Sequence, residues 1–132
     1  MSQENVVMAH EVIDAVERRD LSRLISLTDS DVEWRSAFAV ADGGLYRGHA
    51  GMRRYVTDMN DAWEIVRLEV DHEIAVGEVV VLVGRIHFRG KGSGVEAESA
   101  SGYMLKFRQG RVVCFRPFRE PEKALEAIGL PE

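Results

Sequence analysis

Val66-Arg67-Leu68-Glu69-Val70-Asp71-His72-Glu73-Ile74-Ala75-Val76 decides the fold. Val66, Leu68, Val70, Ile74 and Val76 alternate with Arg67, Glu69, Asp71 and Glu73. A period of two puts successive side chains on opposite faces, so this is a strand with one buried face. His72 takes the buried parity, between Val70 and Ile74. It reads either as a satisfied core histidine or as an acid/base in a pocket. A single bulge would invert the parity of everything beyond it.

More strands follow. Gly77-Glu78 is a turn, and Val79 to Phe88 is apolar on both faces, as in a central strand covered on both sides. Gly90-Lys91-Gly92-Ser93-Gly94 is a hairpin turn into a long strand from about Val95 to Phe107. Gln109-Gly110 turns again, and Arg111 to Phe118 is the last strand. Tight turns force antiparallel pairing. A short helix closes the chain, with Pro121 in its first turn, Ala124, Leu125 and Ile128 inward, and Gly129 as its stop.

Upstream the spacing is helical. Val6, Ala9, Ile13 and Val16 recur every three or four residues, and the helix stops near Arg18-Arg19, where cations suit its negative end. Asp20 caps a short second helix carrying Leu21, Leu24, Ile25 and Leu27. Thr28-Asp29-Ser30-Asp31 reads as a turn, Val32 to Ala37 as a strand containing Trp34, and Ala41 to Gly44 as a loop. Gly48 to Asp61 returns to helix, with Met52, Tyr55, Val56 and Met59 on one face. Helices grouped early and strands grouped late imply an α+β domain, with the helices on one face of a curved sheet.

Composition narrows the function. At 132 residues the chain suits one domain, residues 1–132, with a core of its own. A net charge of −5 argues against nucleic acid as a partner. No apolar run approaches the roughly 18 residues of a membrane span. Met1 to Asn5 lacks the basic start of a signal peptide. The single cysteine, Cys114, permits no internal disulfide, so a reducing cytoplasm is expected. His10, His49, His72 and His87 show no metal-ligand spacing, so no metal is expected. The glycine-rich turn matches neither phosphate-binding spacing and joins two strands instead of opening a helix. Cys114 has no activating neighbour in sequence and reads as packing.

Several phrases carry a resemblance: Asp31-Val32-Glu33-Trp34, Tyr46-Arg47-Gly48-His49-Ala50-Gly51-Met52-Arg53-Arg54, Gly90 to Glu96, and Ala124 to Leu130. With the element order, they make the chain resemble the nuclear transport factor 2-like superfamily, and within it the SnoaL-like branch, over nearly its whole length. The resemblance implies a cone: a strongly curved antiparallel sheet around three N-terminal helices, a short C-terminal helix, a mostly apolar pocket, and a homodimer paired through the outer sheet face. It does not fix an activity.

The chemistry of relatives transfers unevenly. Ketosteroid isomerase uses a carboxylate base with two oxyanion donors. By resemblance the base position is Trp34, which cannot take a proton. The donor on the first helix falls on Val12, and the other near Tyr103, which keeps a hydroxyl. SnoaL-like cyclases use a late acidic residue, for which Glu96, Glu98 and Glu120 are available. Glu120 reads either as a solvated cap before Pro121 or as an acid at the pocket mouth. Glu96 and Glu98 share a strand face and either pair with each other, are solvated, or bridge to Arg85 or Arg89 across the hairpin. Epoxide hydrolases of this fold place Arg-x-Asp where this chain has Arg85-x-His87. His87 could be a base oriented by Glu98, or part of a polar outer stripe with Arg85 and Arg89.

The expected function is therefore binding of a small apolar or aromatic molecule without a cofactor. Trp34, Phe38, Trp63 and Phe115 would line the pocket. Any turnover would be acid/base chemistry (cyclisation, isomerisation or hydration) drawn from His72, His87, Glu98, Tyr103 and Glu120. The alternative is a non-catalytic dimeric interaction module of the same fold.

Overall fold

A computed structural model describes residues 2–36 and 44–127. The elements run α1 (Ser2–Arg18), α2 (Leu21–Leu27), β1 (Thr28–Arg35), β2 (Leu45–Arg47), α3 (Gly48–Ala62), β3 (Trp63–Val76), β4 (Val79–Gly90), β5 (Glu96–Arg108), β6 (Arg111–Phe118) and α4 (Pro121–Ala127). The strands form one sheet in the order β2-β1-β6-β5-β4-β3. The class is α+β, with four helices among the described residues. Ile128 and Gly129, read as the end of the last helix, lie outside them.

The helix ends follow local chemistry. Arg19 takes a left-handed conformation (φ 56°), and the Arg19 and Asp20 N–H groups donate to Val16 and Ala15 carbonyls. Both bonds occupy acceptors that a helix end leaves open. The Arg19 guanidinium then ties α1 to the end of α3, donating to Asn60 Oδ1 and the Trp63 carbonyl. Asp20 accepts from the Arg23 N–H at 3.1 Å and caps α2. Ala9, Val12, Ile13 and Val16 of α1, Leu24 and Leu27 of α2, and Met52, Tyr55, Val56 and Met59 of α3 are buried in one core.

The sheet departs from the sequence expectation in three places. Thr28-Asp29-Ser30-Asp31 is the start of β1, not a turn: Thr28 is buried, and its hydroxyl donates to the Leu24 carbonyl at 2.7 Å. β2 is a strand the sequence reading did not contain. β1 pairs antiparallel with β2 and parallel with β6, so the sheet is mixed, whereas an antiparallel one was expected. Parallel pairing is possible because four strands and a helix separate β1 from β6 in the chain.

Registry assigns the two faces. Leu82 and Val80 of β4 stand in the core; opposite them on β5 are Tyr103 and Leu105, and opposite those on β6 are Pro117 and Phe115. This is the inner face, on which α1, α2 and α3 pack. The outer face carries Val81, Val83, Arg85, His87 and Arg89 of β4, with Met104, Gly102, Ala100, Glu98 and Glu96 of β5 opposite. α4 covers part of it: a Cβ built on Gly102 would lie 3.1 Å from the Ala124 Cβ and 3.2 Å from the Pro121 Cα. Val81 is fully buried on this outer side. β4 is thus covered on both faces at that end, while Arg85, His87 and Arg89 continue it into solvent.

β3 contains the bulge that decides His72. Val70 pairs with Gly84, but His72 pairs with Val83, leaving Asp71 as an extra residue. Parity inverts there, so His72 leaves the face of Val66 and Val70 and is exposed on the outer side. Its expected buried parity is corrected on that ground. Gly84 permits the bulge: a Cβ there would lie 1.8 Å from the Glu69 carbonyl oxygen. At the free edge of β3, Glu17 of α1 accepts the Leu68 N–H at 2.6 Å.

Candidate functional site

Trp34 and Phe115 face each other across β1 and β6 on the inner face, their rings stacked 3.9 Å apart at 8°. Tyr103, on the next strand, stacks on the other flank of Phe115 at 5.7 Å and 25°. Tyr55 of α3 leans on Trp34 at 5.3 Å. The four rings form one aromatic wall, and all are buried.

The wall holds two polar atoms without partners. Trp34 Nε1 and Tyr103 Oη are shielded from solvent, and among the described residues neither has a hydrogen-bond partner. The Tyr55 hydroxyl beside the indole and the Ser101 hydroxyl beside Tyr103 fall short of bonding geometry. Buried polar groups are nearly always satisfied, so two exceptions on either side of Phe115 call for an account. Burial pushes the Tyr103 phenol up to about 12, and burial raises Tyr55 as well. Both hydroxyls therefore stay protonated at neutral pH and act as donors.

A cavity adjoins this wall. β6 pairs with β5 only as far as Phe118 opposite Gly102. Among the described residues, 96–101 of β5 have no strand on that side. Beside them lies an opening of about 380 Å³, apolar over most of its surface, whose lining includes Ile86, Phe88, Ser99, Ser101, Pro117 and Phe118. Ser101 is two residues from Tyr103 on the same strand face, and Pro117 is its cross-strand partner. The volume lies in the range of small-molecule sites.

The residues expected to do chemistry fall in different places. Tyr103, Trp34 and Phe115 belong to the wall. Trp63 stands further along the inner face, edge-on to Phe88 at 5.0 Å, and Phe88 lines the cavity. Phe38 lies outside the described residues. Glu120 is exposed, and its carbonyl accepts the Lys123 N–H at the start of α4.

His87 and Glu98 lie on the outer face, away from the wall. His87 Nδ1 is 3.0 Å from Glu98 Oε2, so the expected orienting contact is present. The other ring nitrogen, however, faces Glu69 at 3.3 Å. With both nitrogens occupied, neither is free to take a substrate proton. Arg85 pairs with Glu98, and Arg89 with Glu96 and Glu64. Arg85, His87 and Arg89 form the polar stripe that was the alternative reading, and Glu96 and Glu98 bridge to them instead of pairing with each other. His49 Nε2 lies 3.0 Å from the Thr28 carbonyl and joins α3 to β1. Among the described residues, no three His, Cys, Asp or Glu side chains come together to hold a metal. Burial raises the Cys114 thiol pKa, which disfavours a reactive thiolate.

Sequence reading missed Tyr55, Ser101 and Pro117 as parts of the site. Tyr55 was visible as an inward helix residue, but nothing local showed that it leans on Trp34. Ser101 and Pro117 gain their place from where β6 stops pairing.

The residues matching the family model run from 9 to 115, and the model describes a SnoaL-like domain. The chain belongs to the SnoaL-like family. No curated protein matches it in sequence. Among solved structures, this SnoaL-like chain is similar to a nuclear transport factor 2-like protein of unknown function from Burkholderia pseudomallei K96243. That match has a TM-score of 0.79 and 23% identity, and covers 96% of this chain and 98% of that one. It is also similar to TerC co-crystallised with polyporic acid, with a TM-score of 0.77, 21% identity, and 95% and 98% coverage. A protein assigned as a SnoaL-like polyketide cyclase from Shewanella denitrificans OS-217 superposes with a TM-score of 0.75 at 16% identity, over 93% of this chain and 97% of that one. These likenesses establish the nuclear transport factor 2-like cone as the fold. No described helix is long and apolar enough to cross a membrane.

Proposed function

We propose that this SnoaL-like chain binds a small, largely apolar molecule in the cone, against the wall of Trp34, Tyr55, Tyr103 and Phe115. The observation that carries the reading is the apolar opening of about 380 Å³, lined by Ser101 and Pro117, the strand neighbours of Tyr103. Apolar lining with a few placed polar groups is the ordinary composition of a ligand site. The structural relatives include a protein crystallised with polyporic acid and one assigned as a polyketide cyclase, which supports a ligand of that general kind.

Turnover, if the pocket supports it, falls to Tyr103 among the five candidates. His72, His87, Glu98 and Glu120 face solvent or the outer sheet. A phenol pushed up to about 12 is a proton donor at neutral pH, not a base. The function proposed is therefore binding first, with Tyr103 positioning the ligand and able to polarise it.

A thermal-shift screen tests this with polycyclic aromatics, steroids, terpenoids, short polyketides, fatty acids and polyporic acid. A ligand at about 100 times its dissociation constant adds roughly 2.7 kcal/mol, which moves the midpoint by several degrees. A hit that Phe115→Ala weakens supports the cone. A hit that Phe115→Ala leaves untouched places binding elsewhere and overturns it.

A second reading concerns assembly. The outer face beyond α4 carries Ile74, Val76, Val79 and Val83 next to the charged stripe, and Val76 is 44% exposed. We propose a homodimer across that face. Sedimentation equilibrium at micromolar concentration should give twice the chain mass, and a monomer would sink the idea.

A further inference from the structure

We infer that the outer face of the β5–β6 hairpin end is a docking surface for an extended acidic segment of another protein, held by Lys106, Arg108, Arg111 and Arg116. The inference is independent of the cone and concerns the opposite face of the sheet. The surface lies to the β6 side of the β3–β4 patch proposed for the homodimer.

Alternation places the four side chains together. Phe107 and Val112 are buried in the inner core, so Lys106 and Arg108 of β5 and Arg111 of β6 take the outer face. Val113 is an extra residue where the register shifts, and beyond it Cys114 and Arg116 continue the outer row. No acidic residue occurs from Met104 to Arg116, although the whole chain carries −5.

Charge pairing separates this end of the sheet from the other. Arg85 is paired with Glu98, and Arg89 with Glu96 and Glu64. Among the described residues, Lys106, Arg108 and Arg111 have no ion pair or side-chain hydrogen bond, and Arg116 only lies over the Phe118 ring at 5.0 Å. Glu33, opposite Cys114, is held by Arg47 at 2.9 Å. Asp29 and Asp31 of β1 and Glu78 of the β3–β4 turn make no ion pair with the four. Arg108 and Arg111 stand directly opposite each other, an arrangement that costs stability. Two like charges face to face, with no carboxylate of the chain between them, point to one supplied from outside. Burial and Glu33 raise the Cys114 thiol, while Arg116, Arg35 and Lys106 act on it in the opposite sense, so cations from three strands converge about this point.

Spacing selects the partner. Lys106 and Arg108 are two residues apart on one strand, about 6.8 Å by the strand rise. An extended peptide repeats the side chains of one face at the same interval, so its alternate carboxylates meet successive cations. A nucleic-acid duplex fits less well. Its longer contact would bring its phosphates against Glu122 and Glu126 of α4, which are exposed beside the same face, and against the net charge of the chain.

The test is fluorescence anisotropy of a fluorescein-labelled peptide of alternating glutamate and serine, titrated with the full chain. A peptide of alternating glutamine and serine is the neutral control. We expect the acidic peptide to bind at least about tenfold tighter than the neutral one at about 25 mM salt. Its affinity should fall at least about fivefold on going to about 200 mM salt. Arg108→Gln with Arg111→Gln should weaken it at least about fivefold, with the variant folded by circular dichroism. Arg85→Gln with Arg89→Gln, on the paired stripe, should change it by less than about twofold. Absence of binding, or equal binding of the two peptides, overturns the inference. So does a preference that survives the Arg108 and Arg111 changes, or one lost equally in the Arg85 and Arg89 pair, because the carboxylates would then be held elsewhere. Tighter binding of a DNA duplex than of the acidic peptide overturns the choice of partner and with it the proposal.

Discussion

Two residues show how much rests on a single atom. Gly84 sits where β3 bulges, and a Cβ there would lie 1.8 Å from the Glu69 carbonyl oxygen. No rotamer relieves a backbone clash of that size, so β3 and β4 must separate. Gly84→Ala should cost roughly 2 to 3 kcal/mol, a fall in the unfolding midpoint on the order of 10 °C. A midpoint within 2 degrees of wild type, on the order of half a kcal/mol, would show that the strands do not approach so closely. Tyr103 makes the opposite case. Its hydroxyl is buried without a partner among the described residues, so the unliganded protein bears a desolvation cost with no bond in return. Removing a tyrosine hydroxyl usually destabilises. Here Tyr103→Phe should leave the free protein as stable or raise it by up to about 1 kcal/mol, measured by urea denaturation. A loss above about 1 kcal/mol would mean that the hydroxyl is satisfied. Stability gained by a change that weakens binding is the familiar trade at functional sites.

At the scale of elements, the outer stripe of β3, β4 and β5 separates chemistry from structure. Arg85, His87, Arg89, Glu69, Glu96 and Glu98 pair among themselves, largely in solvent. Exposed pairs of this kind contribute little. His87→Gln and Glu98→Gln should each shift stability by less than about 1 kcal/mol and change ligand affinity in the cone by less than about twofold. A tenfold loss of affinity in either would move the site to the outer face. The elements themselves were largely legible in the sequence. The alternation of β3, the turns at Gly77, Gly92 and Gly110, and the helical spacing of α1 and α3 all depend on local pattern. β2 was not legible, because three residues are too few for a period. Nor was the polar start of β1, whose pairing with β6 is set by tertiary contact between segments some 80 residues apart. The candidate site was legible only in its aromatic members. Trp34, Tyr103 and Phe115 could be singled out by type, but His72 was assigned to the wrong face. The bulge that moved it is signalled only by Gly84, a glycine in an apolar run, on the partner strand.

For the whole molecule, the three tyrosines give a single titration readout. Tyr46 is raised to about 12, first by burial and then by its 2.5 Å donation to Asp58 Oδ2; Tyr103 is raised as far by burial, and Tyr55 further. These are all the tyrosines of the chain. An ultraviolet phenolate titration of the folded protein should therefore be nearly silent at pH 10.5, where the urea-unfolded chain is more than half ionised. The sign for stability follows. Above pH 10 the tyrosines of the unfolded chain release protons that the folded chain keeps, so their contribution to stability is flat below about pH 10 and declines from there toward pH 12. A folded chain with one tyrosine half-ionised at pH 10 would contradict the burial described here. The free edge of β5 bears on what happens when many copies meet. Backbone donors and acceptors at 96–101, with no strand beside them among the described residues, are a template onto which any extended chain can pair. The sequence there, Glu96-Ala97-Glu98-Ser99-Ala100-Ser101, has low β-propensity and two negative charges. Charge and low strand propensity both disfavour pairing with a neighbouring chain at this edge. Glu96→Val with Ser99→Val should turn it into a nucleus for fibrillar aggregation, seen as rising light scattering and thioflavin fluorescence at concentrations where the parent chain stays clear.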